Sequence, residues 1–189
     1  MLNLRTTRTV IYTPPPTRRE RAAMAEIADL QAQGERPPDE EARLQELIAG
    51  CTVDEWRFTF AAMSVTQYGR YDANRRQAQA WLKATYTDLD SEEAGNAGIA
   101  AIRWAFTMAA LVGLSTRQAN RVADDAGAVA WAPLDIPDAW STPAGYMDEV
   151  PADLAATLAE VAHEVNPGLF GAGLDMSTDA KKNGGISVM

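Results

Sequence analysis

The stretch DLDSEE, residues 88 to 93, sets Asp88, Asp90 and Glu92 at alternate positions, a spacing at which carboxylate oxygens begin to encircle calcium. An EF-hand loop also needs glycine at its sixth position and a carboxylate at its twelfth, and those positions hold Glu93 and Ile99. The acids are better suited to a helix N-terminus, where unpaired amides favour negative charge, and Asp90 with Glu93 has the spacing of a capping box. Cys51 is the single cysteine, with no basic neighbour nearer than Arg57 to hold it as a thiolate, and it reads as a buried or idle thiol. His163 is the single histidine and cannot alone complete a triad or a metal set. No nucleophile with a base partner, glycine-rich phosphate loop or spaced metal ligands is present. The residues therefore nominate no catalytic, cofactor-binding or metal site, and the expected class is non-enzymatic.

One segment has the cadence of base recognition. In AALVGLSTRQANRVADDAG, residues 109 to 127, a helix closes at Gly113, a short turn follows, and Ser115 with Gln118 caps a second helix ending near Gly127. That helix would offer Arg117, Gln118, Asn120 and Arg121 to DNA. Asp124 and Asp125 follow at once, and the chain carries a net charge of −9, whereas nucleic-acid binders cluster Lys and Arg against phosphates. Nucleic acid is thus a disfavoured partner, and the helix-turn-helix stays as an alternative. Trp56, Phe58, Phe60, Trp81, Trp104, Trp131 and Trp140 read as core rather than as the lining of a ligand pocket.

The elements that position these residues follow from periodicity. Residues 5 to 12, RTTRTVIY, suit a strand, which TPPPT ends. Met24, Ile27 and Leu30 within residues 17 to 32, and Leu44, Leu47 and Ile48 within residues 38 to 49, recur at helical spacing, with a break from Gly34 to Pro37, and predict a helical hairpin. In residues 53 to 63, Trp56, Phe58 and Phe60 alternate with Glu55, Arg57 and Thr59, predicting a half-buried strand paired with residues 5 to 12. A helix from Ser64 to Tyr86 carries Val65, Tyr68, Tyr71, Ala78, Trp81 and Leu82 on one stripe.

A central helix follows, with Ile99, Ile102, Phe106, Ala109 and Gly113 on one seam and Trp104, Met108 and Leu111 on the other side. Arg103 near the middle of the apolar run 95 to 115 argues against a membrane span. Residues 132 to 151 read as an ordered loop anchored by Trp140 and Tyr146. Pro151 opens a last helix with the seam Leu154, Leu158, Val161 and Val165, stopped by Asn166, Pro167 and Gly168.

The predicted fold is mainly α, a compact helical domain with a small two-stranded β element and an N-terminal helical hairpin. A strand and hairpin arm spans residues 1 to 52, a helical core domain 53 to 170 and a flexible tail 171 to 189. With 189 residues and 47% hydrophobic content, one core suffices. The lone cysteine and the absence of an apolar secretory segment in MLNLRTTRTVIY point to a cytoplasmic protein.

The central run AGIAAIRWAFTMAALVGLS, the loop PLDIPDAWSTPAGYMDEVP, the helix ADLAATLAEVAHEVNPGLFG and the short tail DAKKNGGISVM together resemble, in layout over residues 53 to 175, the tail assembly chaperones of long-tailed bacteriophages. The resemblance implies a non-catalytic protein that coats the tape-measure protein, helps recruit tail-tube subunits and leaves the finished particle, acting in the host-cell cytoplasm. It also implies a longer product made by ribosomal frameshifting, with Lys181 and Lys182 at an adenine-rich slip site; an ordinary frayed terminus is the other reading of the tail. The seam Leu154, Leu158, Val161 and Val165 is then either core or a groove for a partner helix. Residues 1 to 50 depart from that layout and keep open a structural virion protein, such as a head-tail connector or a decoration protein.

Overall fold

Alternation along residues 52 to 61 organises the molecule. The computed structural model describes residues 7–122, 130–167 and 186–188. In it strand β2 (Thr52–Ala61) pairs antiparallel on one edge with β1 (Thr7–Tyr12) and on the other with β3 (Leu111–Asn120). Strands β4 (Ala132–Leu134) and β5 (Ile186–Val188) extend the sheet to the order β4-β3-β2-β1-β5. Phe58 and Phe60 are wholly buried, each worth about 1.5–3 kcal/mol of apolar burial. They join one core with Val10, Trp104, Phe106 and Leu158. Helices α3 (Val65–Thr85), α4 (Glu92–Ala110), α5 (Pro143–Glu149) and α6 (Ala152–Glu164) supply the rest of that core. Trp56, Phe58 and Trp140 stack with ring centroids 5.8–6.3 Å apart, and the Trp104 indole N–H donates to the Trp140 carbonyl at 2.9 Å. The aromatic side chain is therefore hydrophobic filler and satisfied donor at once.

The predicted mainly α fold with a two-stranded element is overturned: the protein is α/β, with a five-stranded antiparallel sheet and six α-helices among the described residues. The difference lies chiefly in residues 111 to 120. Helix α4 stops at Ala110, and Leu111 already has extended dihedrals, φ −68° and ψ 118°. Gly113, placed on the helical seam by its spacing, belongs instead to β3, as do Ser115 and Gln118. The reason is non-local. A ten-residue strand with an aromatic inner face must satisfy the backbone groups of both edges, and β1 reaches only Trp56 to Ala61. Residues 111 to 120 complete the ladder from Thr52↔Asn120 to Phe60↔Leu111. The tail also contributes a strand, since Ile186–Val188 pairs with Val10–Tyr12. The loop 132 to 151 holds β4, a 3-10 turn at Asp138–Ser141 and α5.

The other expected elements are in place. Helices α1 (Arg18–Ala32) and α2 (Pro38–Gly50) form the predicted hairpin, inserted between β1 and β2. Thr17 and Glu20 make a reciprocal capping box at its start, and Gly34, at φ +74°, supplies the left-handed backbone of the turn. The hairpin has its own small core of Ile27, Leu44 and buried Cys51. Helix α4 is capped by Ser91 rather than by the expected Asp90–Glu93 box, one residue later than the spacing suggested: the Ser91 hydroxyl accepts from the Ala94 N–H at 3.2 Å, while Asp88 accepts from the Asp90 N–H at 3.0 Å. At the end of α6, Asn166 is buried, donates to the Ala162 carbonyl at 2.9 Å and accepts from the Met63 N–H at 2.7 Å.

Two outcomes test this architecture. Leu158, 1% exposed, should lose about 2–5 kcal/mol of stability as Leu158→Ala and fail to fold as Leu158→Asp, read by chemical denaturation. The Glu20 carboxyl is held below the usual glutamate range by the hydrogen bond from the Thr17 backbone, then by the Thr17 side chain and Arg121. Its contribution is present above the unfolded pKa and lost as pH falls through the lowered folded value. An NMR titration should place its midpoint below that of an ordinary glutamate, and Arg121→Ala should move it upward.

Candidate functional site

The residues nominated for base reading lie on strand β3 and just past it rather than on a helix. Arg117 and Gln118 are neighbours in an extended strand and so project to opposite faces. Each is also engaged within the protein. Register sets Glu55 against Arg117 and Arg57 against Ser115. Arg117 ion-pairs with Glu55, and Arg57 Nε donates to the Ser115 hydroxyl at 3.0 Å. Both guanidinium groups pack on the Trp131 ring, 4.7 and 4.9 Å from its centroid. Gln118 donates to the Thr52 hydroxyl at 3.2 Å, and Asn120 accepts from the Val122 N–H at 2.9 Å. Arg121 fastens the base of the hairpin arm. It donates to the Pro14 carbonyl at 2.6 Å, faces Glu20 at 3.5 Å, and its backbone N–H meets the Cys51 carbonyl at 2.9 Å. The helix-turn-helix expected over residues 109 to 127 is thus replaced, up to Asn120, by a strand whose polar side chains hold the sheet together; residues 123 to 127 lie outside the described residues.

The partner seam of the last helix is equally committed. Leu154, Leu158, Val161 and Val165 are 3%, 1%, 3% and 6% exposed and belong to the main core. An approaching helix has no access to them.

Apolar surface is exposed elsewhere. Val65 is 93% exposed, Tyr68 46%, Val112 50% and Ile136 39%. These residues flank the first turns of α3. Val65 and Tyr68 line a recess of about 620 Å³ with Met63 and Tyr71, and Val112 and Ile136 line one of about 660 Å³ with Gln67 and Arg70; Ser64 borders both. Sequence periodicity placed Val65 and Tyr68 on the inward stripe of α3. Tyr71, Trp81 and Leu82 do pack against the core, but the Ser64–Gln67 capping box starts the helix at Val65 and leaves that side chain beyond the covered stretch. The capping spacing was the signal for this, because a residue at the first helical position has no preceding turn to lie against.

The surface is stiff and has an open edge. Tyr68 makes an edge contact with Tyr71 at 6.2 Å, and Tyr71 a second with buried Phe106 at 5.6 Å. An exposed aromatic is thereby anchored to the core. Strand β4 pairs only with Leu114–Thr116, so residues 111 to 113 of β3 carry no strand on that edge among the described residues. Apolar side chains and polar rim groups such as Arg70 and Asp135 meet here. Among the described residues no three His, Cys, Asp or Glu side chains are grouped as metal ligands, and no helix is long and apolar enough to cross a membrane.

No protein-family model matches the chain, no curated protein matches it, and no solved structure matches it significantly.

The paired arginines are expected to be structural. Arg117→Leu leaves the Glu55 carboxylate, 15% exposed, without its counter-ion and should cost about 1–3 kcal/mol. It should also change Trp131 fluorescence, while Gln118→Ala should leave stability within about 0.5 kcal/mol. Denaturant melts and emission spectra of the two variants check both statements.

Proposed function

We propose that the protein is a non-catalytic assembly factor of the tail-assembly-chaperone kind, capturing an extended helix of a tape-measure protein at the start of α3 and helping to recruit tail-tube subunits. One observation carries this reading: four large apolar side chains, Val65, Tyr68, Val112 and Ile136, are exposed around two adjoining recesses, with Tyr68 braced through Tyr71 onto the core. A soluble chain that keeps such residues exposed gains from covering them only when a partner arrives. A rigid aromatic next to apolar recesses is the kind of anchor on which binding energy concentrates. A helix with apolar residues at i, i+3, i+4 and i+7 presents the complementary ridge. The net charge of −9 limits self-association of the same surface.

The test is co-expression with the tape-measure protein of the same genome and quantitative co-purification. Val65→Asp puts a carboxylate at the first helical position, where the helix dipole favours it, so folding is retained. Capture should nevertheless fall about tenfold or more, and Tyr68→Ala should fall at least as far. Undiminished capture by both variants overturns the assignment of this surface. Retention of the chain in purified mature particles would instead identify a structural virion component.

A further inference from the structure

A third recess lies where α4, α5 and α6 converge. It encloses about 680 Å³, the size class of small-molecule sites. Ala97 and Ala100 of α4 and Ala155 and Ala156 of α6 give it short-walled apolar sides, and Ile99, 41% exposed, stands among its lining residues.

Two hydrogen-bond donors lie buried in the wall of this recess with no acceptor among the described residues. Tyr146 is 4% exposed, and its hydroxyl is buried without a partner among the described residues. Arg103 has a buried, unpartnered Nε, and no ion pair joins it to a carboxylate among the described residues. Both line the same recess. Burial pushes the Tyr146 phenol well above its ordinary range, so it stays a neutral O–H donor. Buried donors left unmade are costly, and a native core pairs nearly all of them. A single guanidinium and a phenol suit one carboxylate, which accepts two bonds from the guanidinium fork. Glu93 on the same lining disfavours a ligand carrying more than one negative charge.

We infer that this recess is a binding site for a small monocarboxylate with an apolar body, its carboxylate accepting from Arg103 and Tyr146 as those side chains turn toward it and its body lying along the alanine walls of α4 and α6. The site is separate from the surface at the start of α3 and does not rest on the function proposed there.

Calorimetric titration of the full chain with 4-phenylbutyrate, and with 4-phenylbutyramide as the neutral isostere, tests it. The acid should bind saturably at one site, and the amide roughly tenfold or more weakly. Arg103→Met should weaken binding of the acid by roughly tenfold and Tyr146→Phe by several-fold, with neither lowering the melting temperature, because each removes a buried donor that has no acceptor. Val65→Asp should bind the acid like wild type, which separates this site from the surface at the start of α3. Equal binding of acid and amide, unaltered binding by both variants, or no saturation by the acid up to about 10 mM overturns the proposal.

Discussion

Strand β2 carries hydrogen-bonded partners on both edges and two chemically opposite faces, and the remaining structure is arranged to satisfy it. Its inner face, Trp56, Phe58 and Phe60, draws α4, α5 and α6 over the sheet. Its other face, Glu55 and Arg57, is answered by Ser115, Arg117 and Trp131. Side chains alternate along a strand, so a slip of one residue would put Arg57 and Thr59 into the core and expose Phe58 and Phe60. Register is therefore set twice, by burial on one face and by charge pairing on the other. The buried aromatics decide stability, and the paired charges forbid the alternative alignment.

What could be read from the chain alone follows from whether its cause is local. The hairpin helices, α3 and the alternation of β1 and β2 are written in short-range spacing, as is the start of α4 within a serine- and acid-rich turn, although Ser91 and not Asp90 caps it. Strand β3 is not. Its run LVGLSTRQAN alternates polar types on both sides, because one of its faces pairs with charges of β2 instead of entering an apolar core. Ser115 and Gln118 then mimic a capping box by coincidence of spacing. Only a demand arising sixty residues earlier in the chain, the open edge of β2, makes that segment extended. The three-residue strands β4 and β5 are too short to carry any periodic signal.

The surfaces were legible to a lesser degree, for a related reason. A seam such as Leu154, Leu158, Val161 and Val165 has the same spacing whether it is covered by its own sheet or by another protein, and here the sheet covers it. Conversely, Val65 and Tyr68 share the stripe of α3 with buried residues and differ from them only in lying beyond the end of the packed stretch. The partnerless donors of Arg103 and Tyr146 are separated by more than forty positions, and their convergence belongs to the packing of α4 against α5 and α6. Exposure is a property of the ends and gaps of packed elements, which a repeat pattern does not encode.

The hairpin arm also bears on how the chain reaches this state. Pairing β1 with β2 requires closing roughly 40 intervening residues, an entropic cost that grows slowly with loop length but must be met before the ladder yields any return. Helices α1 and α2 fold back on each other through local contacts, linked by Glu26 and Arg43 at 2.6 Å and rooted at Arg121. Once formed, they bring Tyr12 within pairing distance of Trp56, as a shorter connection would. The arm thereby acts as an internal splint that converts a distant strand pairing into a near one. Its length is then free to vary, so long as its two ends return to the neighbouring strands β1 and β2.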